Sequence, residues 1–279
     1  MRKMNCIFCK ANSTGSCSVE HIIPESIGNT DHVLPPGVVC DSCNTYFSIK
    51  VEKPLLEASY FRDMCYRGRI RNKQGNPPRV RGIHLQGWAP VDLIPDMDGN
   101  GASICASREN DEKRLVETTR RLTNFTIVVP VPAEPDQQLL SRFLAKVAIE
   151  SLALKLFDTE GGISEVVEKS ELNPLREYAR RGTPASFWPY HSRPLYPPDF
   201  LFVESESEPC EVLHEWTFLY TEGYELYFVL AFFGIEYAIN MGGPYIDGYT
   251  RWLTEKSGNS PLYPNGIRGM RHNISAKQQ

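Results

Sequence analysis

The chain has 279 residues, 41% hydrophobic and 23% charged, which suffices for one large domain or two modest ones and excludes wholesale disorder. No stretch approaches the roughly 18 consecutive apolar residues of a membrane span, and the opening Met-Arg-Lys-Met-Asn-Cys lacks the apolar core of a signal peptide. The net charge of −4 conceals an asymmetry: residues 1–81 carry 12 Lys and Arg against 7 Asp and Glu, a net +5, so the remainder carries −9. A polyanion is therefore attracted to the front of the chain and repelled by the rear.

The first element is a Cys-x-x-Cys knuckle, Cys6-Ile-Phe-Cys9, and a second follows at Cys40-Asp-Ser-Cys43. Four thiolates in two such pairs match the tetrahedral all-sulfur coordination of a closed structural zinc site. The other cysteines, at 17, 65, 105 and 210, show no pattern, so reduced thiols with zinc in a cytoplasmic setting are expected in place of a disulfide framework. Between the knuckles, Val19–Ile23 reads as a short strand ended by Pro24, and Leu34-Pro35-Pro36-Gly37 as an extended turn. From Ser42 to Tyr60 the apolar positions Tyr46, Phe47, Val51, Leu55 and Leu56 make a helical face, with a kink or break at Pro54.

Residues 61–83 read as a basic linker, an extended arm or loose hairpin, carrying Arg62, Arg67, Arg69, Arg71, Lys73, Arg79 and Arg81 against the single Asp63. These cations are the candidate phosphate contacts. An acidic α+β domain is expected over 84–279. It opens with apolar runs at Ile83–Trp88 and Val91–Ile94, a Gly-rich turn at 98–101, and a buried strand at Phe125–Val131. Asp136–Phe157 is the clearest helix, with Asp136 as its cap and Leu140, Phe143, Leu144, Val147, Ala148 and Ser151 at helical spacing. A second helix is expected over Ser164–Arg180 with an irregularity at Pro174, then a Pro-rich and aromatic loop to Pro198. Strands near Val212–Tyr220 and Leu226–Phe233, joined by Thr221-Glu222-Gly223-Tyr224, and a third at Ile235–Met241 complete the reading.

The segment from Cys6 and Cys9 through Glu20-His21-Ile22-Ile23-Pro24 and Gly28 to Cys40, Cys43 and Asn44 resembles the HNH endonucleases that carry a four-cysteine zinc site. The likeness spans about residues 4–60. It implies an α+β chain with a small zinc-stapled ββα-metal module at 1–60, and a metal-dependent endonuclease that cleaves DNA phosphodiesters. The resemblance makes His21 the general base and gives Glu20 and Asn44 a catalytic Mg²⁺ or Mn²⁺. Glu20 stands where Asp is commoner, a change that a hard cation accepts, in part through water. The motif's central Asn falls where this chain has Leu34, Pro35 and Pro36, which leaves Asn29 or His32 to orient the histidine. Glu52, eight residues past Asn44, is a further candidate ligand or arginine partner.

One ββα site cuts one strand, so a double-strand break requires a homodimer or two nicks. Defence against foreign DNA and mobile-element biology are both consistent settings. A zinc-knuckle nucleic-acid-binding protein with a degenerate nuclease site is the competing class, favoured by the missing central Asn and the Glu-for-Asp change. A strand also turns adjacent side chains to opposite faces, so Glu20 and His21 share a cleft only where the strand end is distorted.

Overall fold

The computed structural model describes residues 4–29, 31–97, 101–183, 187–197, 200–202, 214–267 and 269–271. After the first knuckle, β1 (Glu20–His21) and β2 (Val33–Leu34) pair antiparallel, Glu20 opposite Leu34 and His21 opposite Val33. Helix α1 (Asp41–Phe47) begins within the second knuckle and passes through a π-helical segment, Ser48–Glu52, into α2 (Lys53–Leu56). This is the expected ββα order. Pro54 has no N–H for the carbonyl four residues back and its ring crowds that carbonyl, and the widened turn lies directly before it. Gly37 sits at φ 95° in the turn leading to the second knuckle, a backbone region that side-chain-bearing residues avoid.

Beyond these come α3 (Ser59–Arg67), β3 (Val80–His84), β4 (Ala89–Pro95), β5 (Ala102–Ala106), α4 (Glu109–Thr119) and β6 (Ile127–Val128). The strands form one antiparallel sheet in the order β5-β4-β3-β6. The remaining elements are α5 (Gln137–Leu156), α6 (Gly162–Glu168), α7 (Asn173–Arg181), β7 (Tyr190–Pro194), β8 (Phe200–Phe202), β9 (His214–Tyr220), β10 (Leu226–Phe232), β11 (Ile235–Asn240), α8 (Asp247–Glu255) and β12 (Gly269–Arg271). A second antiparallel sheet runs β7-β11-β10-β9, and β8 pairs with β12. Among the described residues, no helix is long and apolar enough to cross a membrane.

The chain divides into two compact units, and the division differs from the expected boundaries at 60 and 84. One unit joins residues 1–25 and 29–55 to 136–273; the other contains 26–28 and 56–135. The zinc-knuckle segment therefore shares its core with the second half of the chain. Helix α5 explains why. Asp136 caps it by accepting from Leu139 N at 2.7 Å, and residues 140–151 are buried apart from Arg142. A helix apolar on all sides has to be covered on all sides. Helices α6 and α7, strand β11, strand β2 and the π-helical segment each pack against it.

Several expectations are corrected. Residues 61–83 are not an extended arm: α3 occupies their start with Phe61 fully buried, and β3 their end. Phe125–Val131 is not a buried strand, since only Ile127–Val128 pairs and Val131 is 90% exposed. The expected Pro-rich loop contains β7, whose Pro194 tolerates its place because the strand lies at the sheet edge. The Gly-rich turn at 98–101 falls largely on residues outside the described set, as do Val212 and Leu213 of the strand expected before Tyr220.

Arg176 of α7 is the tether between the first knuckle and the helices. It is 3% exposed; its guanidinium donates to Ile7 O (2.7 Å), Lys169 O (2.9 Å), Asn173 Oδ1 (2.8 Å) and Val166 O. Arg176→Met fills the same space but removes the guanidinium donor from two buried carbonyls, Ile7 O and Val166 O. Since each buried polar atom left unpaired costs about 1–3 kcal/mol, the variant is expected to lose about 2 kcal/mol or more of stability, read from urea denaturation.

Candidate active site and metal centre

The four sulfurs of Cys6, Cys9, Cys40 and Cys43 lie within 4.8 Å of one another. Cys9 and Cys40 Sγ are 3.6 Å apart, close to the roughly 3.8 Å between thiolates placed tetrahedrally around zinc at about 2.3 Å. Backbone N–H groups support the sulfurs: Phe8 N and Cys40 N donate to Cys6 Sγ, and Cys43 N to Cys40 Sγ, each at 3.4 Å. Such donors stabilise thiolate charge, the form a metal requires. The hydrogen bond from Cys43 pulls the Cys6 thiol down to about 4 and pushes Cys43 correspondingly up. The cluster is thus compatible with a structural zinc site.

The hairpin between the knuckles carries His21. Its side chain is half-buried, and Nδ1 is shielded from water without a hydrogen-bond partner. Asn29 is fully buried and organises the turn beneath it. Its Nδ2 donates to Ile23 O (2.7 Å) and His32 O (2.9 Å), while Oδ1 accepts from Asp31 N (3.1 Å) and His32 N (2.9 Å). All four bonds hold backbone, so Asn29 shapes the loop that returns to β2 and makes no bond to the imidazole. His32 faces elsewhere, its ring 5.6 Å from His214 and 5.8 Å from Trp216 of β9. Asn44, in the first turn and a half of α1, donates from Nδ2 to Val19 O (3.2 Å), which ties the helix to the residue before β1.

Glu20 is 5% exposed and turned to the interior, as strand alternation requires beside the half-buried His21. There it meets Lys146, a residue of α5 that sequence reasoning missed. The Lys146 ammonium is fully buried and lies 2.7 Å from Glu20 Oε1, 2.7 Å from Glu52 Oε1 and 2.8 Å from Glu150 Oε2. It donates to Glu20 and Glu150, and at 3.5 Å to Ile22 O, whereas Glu52 pairs with it by proximity without hydrogen-bond alignment. Burial opposes the ammonium, but the three carboxylates outweigh it and raise its pKa well above the ordinary lysine value. Burial likewise raises Glu20 and Glu150 above ordinary carboxylates. Glu20 Oε2 and Glu150 Oε1 remain buried without partners. Two charges four apart on the most apolar helix were the available signal, because Lys and Glu are almost never fully buried unless paired.

The basic stretch belongs to the other compact unit. Arg62, Arg67, Arg71, Lys73, Arg79 and Arg81 are exposed and Arg69 is half-buried. Some of their charge is already engaged: Arg67 pairs with Asp63 (2.7 Å), Arg81 lies 3.7 Å from Asp92, and Arg69 Nε donates to Asp96 O (2.9 Å). Arg71 donates to Gly75 O (3.0 Å). Among the described residues, the four cysteines are the one group of three or more His, Cys, Asp or Glu placed to share an ion.

If zinc fills this cluster, metal analysis should find about one zinc per chain, and a chelator should disrupt the front segment, whose fold draws on metal-binding free energy. Cys40→Ser is expected to lower the melting temperature by roughly 10 °C, at 2–4 °C per kcal/mol for a chain of this size. Less than half a zinc per chain, or an unchanged melting profile, would contradict a structural ion.

The HNH endonuclease family matches residues 6–58, the stretch that contains both knuckles, the β1–β2 hairpin, α1, the π-helical segment and α2. No curated protein and no solved structure shows a significant match to the chain. Zinc-knuckle geometry, ββα order and family match coincide on the same residues, so this part of the chain is a four-cysteine module of the HNH endonuclease family.

Proposed function

We propose that the chain is a divalent-metal-dependent endonuclease that hydrolyses DNA phosphodiesters. The reading rests on one observation: a half-buried imidazole whose Nδ1 has no hydrogen-bond partner, on the hairpin of the segment that matches the HNH family. His21 takes the proton from the attacking water as general base. Glu20 through Oε2, and Asn44 at the start of α1, are the residues to hold a cation. Two protein ligands suit Mg²⁺ or Mn²⁺, which keep most of their water. When bound, that ion supplies positive charge for the departing 3′-oxygen. Asn29 keeps the hairpin in shape, and Glu52 acts with Glu20 on the lysine.

The second reading, a nucleic-acid-binding protein with an inactive site, draws support from Glu20 Oε1, which is occupied by Lys146. Nicking of supercoiled plasmid with added Mg²⁺ or Mn²⁺ separates the two. His21→Ala is expected to keep zinc, fold and DNA binding while losing cleavage by about 10²–10⁴, the usual contribution of a general base. Asn44→Ala is expected to lose part of the activity and to regain some at high metal concentration. Cleavage unchanged in His21→Ala moves the active site elsewhere.

The exposed arginines are proposed to contact phosphates. Affinity for duplex DNA should then fall steeply with salt, and each contact removed should reduce the log–log slope by about 0.9. Arg62→Ala and Arg79→Ala, at exposed positions, are expected to flatten the salt dependence together. A slope equal to that of the unaltered protein would place the binding surface on other residues.

A further inference from the structure

Lys146 belongs to the second half of the chain, outside the family match, yet its ammonium grips β1 on both sides of His21. It donates to the side chain of Glu20, the residue before, and to the main-chain carbonyl of Ile22, the residue after. The same ammonium contacts Glu52, at the end of the π-helical segment that follows α1. Three points of the ββα module thus converge on one atom from α5. The side chain has no freedom to fluctuate there, since it is fully buried and Glu150, one turn further along α5, holds it from behind.

We propose that Lys146 is a positioning residue for the nuclease site: it fixes the backbone of His21 from both sides and holds the Glu20 carboxylate by Oε1. The inference rests on the nuclease reading above and gives the second half of the chain a function, to complete the site that the zinc-stapled module carries. Lys146 touches no reacting atom. Its effect is geometric, and the chemistry is sensitive to geometry: a displacement of about 1 Å costs about a hundredfold in rate. A side chain that only filled space would have no need of a charge, and an apolar residue would avoid the desolvation that a buried ammonium incurs.

The test uses the full-length, zinc-loaded protein. Lys146→Met alone leaves three buried carboxylates unneutralised and risks unfolding. Lys146→Met with Glu150→Met removes one charge of each sign and leaves two carboxylates in place of three, Glu20 and Glu52, so it costs less stability than the single change. Lys146→Arg keeps the charge. The double variant is expected to keep its zinc and to melt above Lys146→Met alone, and to lose about a hundredfold in kcat with KM within about twofold. Lys146→Arg should recover at least about a tenth of the kcat.

A second readout needs no activity. The ring C–H signal of His21 in ¹³C-histidine-labelled protein, assigned by its loss in His21→Ala, is expected to shift or broaden in the double variant and to stay near its original position in Lys146→Arg. A double variant with unaltered kcat and an unmoved His21 signal overturns the proposal, as does an arginine variant no better than the double. Equal nicking by the unaltered protein and His21→Ala would instead remove the nuclease reading, and the His21 signal would still decide whether Lys146 holds the strand.

Discussion

The buried ammonium of Lys146 is the contact on which the arrangement of this protein depends. One cation meets three carboxylates away from water, where charge–charge energies are several times those at the surface and unpaired charge is correspondingly costly. Each partner comes from a different place: Glu20 from β1, Glu52 from the π-helical segment, Glu150 from the same helix. A displacement of any one leaves buried charge uncompensated, so the elements are held at fixed separations. Apolar packing of α5 brings them near one another, but packing is tolerant of small slips. The ionic cluster is much less so.

That contact also changes what kind of object the HNH segment is. A zinc-stapled segment of this size has little core of its own. Here Phe47, Val51 and Leu55 are fully buried in a unit that includes α5, and the first knuckle is tied to α7 through Arg176. A zinc ion in the four-cysteine cluster would fix the two knuckles to each other. It would not fix β1, whose orientation depends on Lys146 and on the loop organised by Asn29. With zinc bound, metal and lysine would divide the work: one would close the ends of the segment and the other sets its middle.

The sequence made the knuckles, the ββα order, the long helix with its Asp136 cap and the β9–β10 hairpin legible, because each leaves a local mark in spacing, capping or alternation. Strand alternation set a condition, that Glu20 and His21 share a cleft only where the strand end is distorted, and in β1 Glu20 instead turns inward beside the half-buried His21. What it did not disclose was tertiary. The one local mark of Lys146 is its i,i+4 pairing with Glu150 on an apolar helix; its other partners, Glu20 and Glu52, lie 126 and 94 positions away in the chain. The basic stretch was misread as an arm because its few apolar residues, Phe61 and Ile70 among them, are spaced too irregularly to signal a helix and a buried turn. Short elements such as α8 and β7 were lost among Gly, Pro and aromatic residues, whose local preferences for turns are overridden by the sheet they join.

The separation of the two segments that build the first unit has a consequence for how the protein is made. Both knuckles are complete once Cys43 has been synthesised, but Lys146 follows about a hundred residues later, which at typical translation rates is roughly 5–20 s. During that interval the four thiols are able to take up metal, while Glu20 and Glu52 have no counter-ion and the hairpin has no helix to rest on. Closing so long a loop carries an entropic cost that local contacts do not, which places assembly of β1 against α5 late in folding. A nascent or truncated chain that ends before α5 would accordingly carry the four-cysteine cluster while the proposed hydrolytic centre is unformed. The long interval between the segments thus acts as a timer, keeping a proposed DNA-cutting enzyme inert until more than half of it has been built.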